Sequence, residues 1–229
     1  MSPYDVLLRD RDVAVVNKAP GLLSQPDPSG DPDLLTLLAN EFGRPVFPVH
    51  RLDRGVGGLI VVALDPRAAA NLSAQVAGED GAFKKEYLAV VHGRFECGGG
   101  ALTDYLLRDG GRTRVVPAGT KGAKIARLAY RVLDESDLDG AALSLVAVRL
   151  FTGRTHQIRA QFANASHPVA GDGRYGARDR FPPIALFSSR LSFAHPANGK
   201  TLCFSAIPDA TPFDRFQIPA FGEKGFFDD

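Results

Sequence analysis

Tryptophan is absent from this 229-residue chain, methionine occurs once and cysteine twice. Two cysteines, Cys97 and Cys203, cannot build a disulfide framework. Neither stands in a C-x-x-C or Cys/His spacing suited to a metal, so two free thiols in a reducing compartment are expected and no metal is. No apolar run approaches the roughly 18 residues of a transmembrane helix. The opening residues, Met1-Ser2-Pro3-Tyr4-Asp5, lack the basic-then-apolar order of a secretory signal. A cytoplasmic protein without membrane contact is expected. Neither G-x-x-x-x-G-K-[ST] nor G-x-G-x-x-G occurs, so no nucleotide cofactor is expected. Internal repeats, low-complexity tracts and linkers are also missing. With 45% hydrophobic residues, the chain reads as one domain over residues 1–229, expected to be monomeric.

Charge is scarce in sum but not in distribution. The net charge is +1. Between Arg108 and Arg131 lie seven basic residues (Arg108, Arg112, Arg114, Lys121, Lys124, Arg127, Arg131) and one acid, Asp109. That stretch carries +6, which leaves −5 for the remainder. Such a strip can follow a phosphate backbone in a near-neutral protein, or it can be a solvated loop.

Hydrophobic spacing places the elements. Val13 to Asn17 is a short buried strand ended by the turn at Lys18-Ala19-Pro20-Gly21. Asp31-Pro32 predicts a helix start, Leu35, Leu38 and Phe42 its apolar side, and Gly43 its end. Leu59 to Leu64 is continuously apolar, as in a strand covered on both faces. Asp65-Pro66 caps a second helix carrying Ala69, Leu72 and Val76. Lys85 to Val91 is a strand, residues 93–123 a hairpin or long excursion, and two strands follow near Ala126 to Leu133 and Leu143 to Leu150. A third helix is predicted from about Thr155, with Ile158 and Phe162 inward. Leu191 to Phe193 and Thr201 to Phe204 form a hairpin pair. The expected class is α+β, with a mixed, largely antiparallel central sheet and flanking helices. Ile218 to Asp229 lack periodicity and form a tail that docks through Phe221, Phe226 and Phe227 or frays.

Two segments draw attention chemically. In His50-Arg51-Leu52-Asp53-Arg54-Gly55-Val56-Gly57-Gly58-Leu59, one carboxylate lies between two arginines, and glycines leave room for a ligand. A carboxylate can serve as nucleophile, base or electrostatic stabiliser, or simply cap a loop. About a hundred residues later comes Gly153-Arg154-Thr155-His156-Gln157-Ile158-Arg159. An arginine can grip a carboxylate through two parallel hydrogen bonds, whereas most surface arginines do nothing of the kind.

These segments resemble the RluA-type RNA pseudouridine synthases, whose signature reads H-R-L-D before a small-residue turn and an apolar strand. Lys85-Glu86-Tyr87 with Leu88 to Gly93 is similar to that family's K-x-Y-x-A-x-V-x-G, and Asn17 to Gly21 to its N-K-P-x-G. Gly171-Asp172-Gly173-Arg174-Tyr175-Gly176 is similar to G-D-x-x-Y-G, and Leu191 to Pro196 to L-x-F-x-H-P. These last two are read as structural. The likeness runs from about residue 6 to about 208, leaving 209–229 as a tail. No S4 domain is expected ahead of it, because the pattern begins almost at residue 1. It departs at Val56-Gly57-Gly58, where Thr-Ser-Gly is common, at Leu186-Phe187-Ser188, where Leu-His-Ala is usual, and at Leu128, in place of a threonine.

The resemblance implies a fold with a central active-site cleft and an isomerase converting uridine in tRNA or rRNA to pseudouridine without a cofactor. It implies Asp53 as nucleophile, Arg159 as the guanidinium paired with it, and Tyr87 as the ring stacked on the base. Arg51, Arg54, Lys18, Arg154, His156 and Leu186 become candidate substrate contacts, with Arg112, Arg114, Lys121 and Lys124 along the RNA backbone. Arg51 is a candidate to fill the gap left by a flipped base, and Lys18 either reaches a phosphate or supports the site floor. A catalytically silent RNA-binding protein on the same scaffold is the alternative. A glycoside hydrolase fits less well, since neither signature segment offers a second acid.

Overall fold

The computed structural model describes residues 2–78, 81–138, 140–179, 181–221 and 225–227. In chain order the elements are β1 (Tyr4–Arg9), β2 (Val13–Lys18), α1 (Leu34–Phe42), β3 (Phe47–Pro48), β4 (Gly57–Ala63), α2 (Pro66–Ala77) and β5 (Lys84–His92). Then come β6 (Gly99–Asp109), β7 (Arg112–Val116), β8 (Lys124–Leu138), β9 (Ala141–Leu150), α3 (Gln157–Asn164), β10 (Leu186–Ala194) and β11 (Thr201–Ser205). Antiparallel pairings predominate and helices pack on the strands, which is the expected α+β class. Two compact units result, one of residues 1–85 and 187–206, the other of 86–186 and 207–229.

The first unit is built around β4, all seven residues of which are buried. It pairs antiparallel with β2 and β3 and parallel with β10, while β1 extends β2 and β11 extends β10. Val13, Val15, Leu59, Val61, Leu72 and Phe193 fill one core, closed by α2. Asp65 caps α2 by accepting from the amides of Arg67 and Ala68, and Pro66 opens its first turn. Helix α1 starts later than the Asp31-Pro32 signal predicts. Asp33 is its N-cap, accepting from Thr36 N–H, while Asp31 is paired with Arg54. Gly43 ends α1 at φ 64° as expected. Strand β1 escaped the sequence reading. It is an edge strand whose alternate residues are exposed, with none of the continuous apolar character that marks β4.

The second unit orders its strands β5-β9-β8-β6-β7, all antiparallel. The glycine-rich stretch after residue 93 is indeed a hairpin, β6–β7, and β8 runs on to Leu138, beyond the expected end. Helix α3 covers one face, with Ala160 against Leu106, Ala126 and Tyr175. Of the C-terminal tail, Phe226 docks. Its N–H donates to Glu86 Oε2 (3.3 Å) and its carbonyl accepts from Arg131 Nη1 (3.1 Å). The rings of Phe221 and Phe226 lie 4.7 Å apart, and Arg149 sits over Phe227. Cys97 and Cys203 are exposed free thiols. Among the described residues no helix is long and apolar enough to cross a membrane.

Candidate active site

The Asp53 loop is held from behind by the segment after β2. Ser24 Oγ donates to Leu52 O (2.8 Å) and accepts from Leu52 N–H (3.0 Å), so one hydroxyl fixes the residue before Asp53. Gly21 N–H donates to Arg54 O (2.7 Å), and Arg54 Nε returns a bond to Gly21 O (3.1 Å). Val56 N–H closes the turn on Asp53 O (3.0 Å). Asp53 itself is half-buried. Ser24 is a contributor that sequence reading missed, because an isolated serine in a loop carries no spacing signal.

Lys18 explains the turn. It is 1% exposed, and its Nζ donates to Leu22 O (2.8 Å) and Ala19 O (3.0 Å). Burial brings its ammonium down to about 8, opposed by the negative charge of nearby Asp53. The reading in which Lys18 reaches a phosphate is therefore corrected. Its charge is turned inward, beneath the Asp53 loop. Arg54 is exposed but already engaged by Asp31 (2.7 Å), and Arg51 is exposed.

His50 anchors the other end of the loop. Its Nε2 accepts from Val61 N–H (3.1 Å), which continues the β3–β4 pairing by one position. An acceptor Nε2 places the ring proton on Nδ1. Burial, with Lys85 nearby as a second cause, pulls the His50 pKa down to about 3, so the ring is neutral.

The departures at 56–58 and 186–188 prove to be linked. Gly58 has φ +110°, and a Cβ there would lie 2.3 Å from Ser188 O, because β10 runs beside it. At Gly57 a Cβ would sit 3.1 Å from Pro20 Cδ and 3.3 Å from Phe187 Cδ2. The Phe187 ring thus occupies room that a side chain at 57 would need. Ser188 adds a bond from its Oγ to Leu59 O (2.9 Å).

In the second unit Arg159 is the centre. It is 8% exposed, on the first turn of α3. Asp172 holds it through two bonds, Nε to Oδ2 at 2.6 Å and Nη2 to Oδ1 at 2.9 Å. Its guanidinium carbon lies 5.0 Å from the centroid of the Tyr175 ring, and that of Arg112 lies 5.1 Å from the same ring. Tyr175 Oη accepts from Thr113 N–H (2.9 Å) and lies 2.9 Å from His156 Nδ1. The G-D-x-x-Y-G segment therefore does more than turn the chain: its aspartate and tyrosine position Arg159.

Helix α3 begins at Gln157, two positions after Thr155. His156 stands before it at φ 52°, so it does not share a helical face with Arg159. Gln157 causes the offset. Its Oε1 accepts from Arg154 N–H (3.0 Å) and Thr152 Oγ1 (2.8 Å), and its Nε2 donates to Arg127 O (3.1 Å). Ile158 and Phe162 do face the core. Arg154 Nε donates to Ile125 O (3.0 Å), and Leu186 is 5% exposed. Tyr87 is 6% exposed on β5, paired with Val148.

The basic strip does not form one surface. Lys124 pairs with Leu106 and Arg108 with Thr113, on the sheet face that carries α3. Arg114 pairs with Leu107 and Arg127 with Thr103, on the opposite face. Arg114 is bonded to Asp109 (2.5 Å), Arg112 reaches Tyr175, and Lys121 is exposed.

The profile of the RNA pseudouridylate synthase family matches residues 12–164. A dual-specificity RNA pseudouridine synthase RluA of Yersinia pestis is 32% identical over 204 residues, covering 87% of this chain and 96% of its own. The chain belongs to the RluA-type RNA pseudouridine synthases. A ribosomal large subunit pseudouridine synthase D of Nitrosomonas europaea is 33% identical over 90% of this chain and 63% of its own length. The solved structure of human RNA pseudouridylate synthase domain containing 1 superimposes with a TM-score of 0.74 at 25% identity, covering 91% of this chain and 85% of that one. The chain is accordingly an isomerase acting on RNA, and nothing in these likenesses favours a catalytically silent binding protein.

Proposed function

We propose that this synthase isomerises a uridine in tRNA or rRNA with Asp53 as its nucleophile, Arg159 in the guanidinium role and Tyr87 as the base-stacking ring. The observation that carries the proposal is the way Asp53 is presented. Its neighbours on both sides are pinned by Ser24, Gly21 and His50, while Asp53 itself is only half-buried. A fixed, accessible carboxylate is what a nucleophile needs. The family profile spans residues of both compact units, so we treat them as one catalytic module.

In the proposed sequence the uridine leaves its stack at a cost of a few kcal/mol, offset by stacking and backbone contacts. Asp53 attacks base or sugar, or takes a ribose proton, and the glycosidic nitrogen–carbon bond breaks. The uracil turns and rejoins the ribose through carbon 5, and the carbon 5 proton is lost to solvent as the carboxylate is released. Arg51, exposed two residues before Asp53, is proposed to fill the vacated space. A monomer working in the cytoplasm completes the proposal.

The test is tritium release from RNA labelled at carbon 5 of uridine, using RNA from cells that lack this chain. Asp53→Asn is expected to abolish release and leave RNA affinity within a few-fold. Substantial turnover by that variant would remove Asp53 from the nucleophile role.

A further inference from the structure

Among the described residues, α3 covers one face of the ribbon of β6, β7 and β8. The cross-strand pairs give the composition of the other face. Tyr105 stands opposite Val116 on one side and Ile125 on the other, Leu107 opposite Arg114, and Thr103 opposite Arg127. Phe151 continues the β8–β9 ladder, donating its N–H to Arg127 O (3.1 Å), so it stands level with Arg127 on this same face. Phe151 is 60% exposed and Tyr105 36%. Both belong to the small set of large apolar side chains left exposed among the described residues. Single exposed apolar residues mean little, but here two aromatic rings share one sheet face with Arg114 and Arg127.

Charge decides what kind of partner fits. From β6 through Arg131 of β8, the one acid this face presents among the described residues is Asp109, at its edge and already bonded to Arg114. The far end of the face, near Arg131 and Arg149, is covered by Phe226 and Phe227 of the tail. What remains is a platform bearing two rings about 10 Å apart across the strands and about 7 Å along them, edged by guanidinium groups. Rings on an open sheet accept unpaired bases regardless of sequence, while arginines take the phosphates between.

We propose that this face binds an unpaired stretch of the RNA substrate, with Phe151 and Tyr105 stacking on bases and Arg114 and Arg127 meeting the backbone. The proposal rests on the isomerase reading for the identity of its partner, but not on any assignment in the Asp53 loop. The platform is a holding site for substrate, separate from the groups assigned to the chemistry.

The probe is a fluorescein-labelled oligouridylate of about 12 nucleotides, within the range such platforms take. The Phe151→Leu/Tyr105→Leu double variant keeps apolar area but cannot stack. It is expected to bind the probe about 10-fold or more weakly, with an unchanged unfolding midpoint in urea. Phe151→Trp is expected to hold or strengthen binding. Ultraviolet crosslinking of the wild-type protein to the probe is expected to mark peptides containing Tyr105 or Phe151. Wild-type affinity in the double leucine variant, or crosslinks confined to other segments, would overturn the proposal. So would a concentration-dependent dimer that Phe151→Ala dissolves, since the face would then belong to a second copy. Binding without turnover keeps these outcomes distinct from the isomerase reading. If probe binding fails while tritium release persists, the platform alone is wrong. If probe binding holds while Asp53→Asn still turns over, the nucleophile alone is.

Discussion

Asp172 holds the guanidinium of Arg159 by its Nε and Nη2 nitrogens, and the pair is almost completely buried. The carboxylate is itself fixed, because the carbonyl of Asp172 accepts from Tyr175 N–H and Ala177 N–H, and its own N–H donates to Val169 O. A buried guanidinium gripped in this way has one orientation. Asp172→Asn is expected to cost about 3–5 kcal/mol of stability, since it removes the negative charge from a buried, doubly hydrogen-bonded ion pair. It should also lower turnover by about 100-fold through loss of alignment, while RNA affinity changes little. Urea unfolding and single-turnover tritium release measure the two effects. A destabilised variant with normal single-turnover rate would reduce Asp172 to scaffolding.

Arg159→Lys retains the charge and loses the fork. An ammonium cannot make two parallel bonds to Asp172, so severe loss of turnover is expected even where the protein stays folded. The two substitutions act on one contact, so combining them should be much less than additive. A double variant as slow as the product of the single losses would show that Arg159 and Asp172 work separately.

His50 makes stability depend on pH in a definite direction. In the unfolded chain its imidazole takes a proton below about 6.5. In the folded chain burial holds it neutral down to about 3. Below 6.5 the unfolded state therefore binds the extra proton. The stabilisation is complete above 6.5 and is lost as pH falls from there toward 3, by at most about 1.4 kcal/mol per unit. His50→Gln can still accept from Val61 N–H but does not titrate. Between pH 7 and 5 its urea midpoint is expected to fall less than that of the wild type. Equal slopes in the two proteins would mean His50 is not the titrating group.

The basic strip has a salt signature. If Arg112, Arg114, Lys121 and Lys124 meet phosphates, replacing all four with alanine should flatten the slope of log affinity against log salt by about 2–3. Strand alternation separates Arg114 from Lys124, so the paired variants Arg114/Lys121 and Arg112/Lys124 should not contribute equally. An unchanged slope in the quadruple variant would show that these side chains face only solvent.

Much of this was legible in the residues themselves. Six consecutive apolar side chains announced β4, and Asp65-Pro66 announced α2, because burial on two faces and helix capping leave local marks. Edge strand β1 left none, since half its residues face water. The α3 boundary moved because Gln157 spends its amide on Thr152, Arg154 and Arg127, contacts that helical periodicity does not encode. In the candidate site, Asp53 and Arg159 stood out through their motifs. Of their supports, Ser24 did not, and Asp172 stood out only as part of a structural turn motif. Ser24 lies 28 positions from Leu52 and Asp172 lies 13 from Arg159. Lys18 was visible, but whether its charge pointed in or out depended on carbonyls that only the folded turn brings into reach.

The parallel pairing of β4 with β10 sets an order of assembly on the ribosome. Gly57 and Gly58 meet Phe187 and Ser188, and the Ser188 Oγ bond to Leu59 O spans 129 positions. Closing so long a loop is entropically costly and slow beside local hairpin formation. A nascent chain that has emerged only through α3 carries Asp53, Tyr87 and Arg159, yet lacks the strand that backs the Asp53 turn. Competence should therefore arrive with the emergence of β10, rather than when the signature residues first appear.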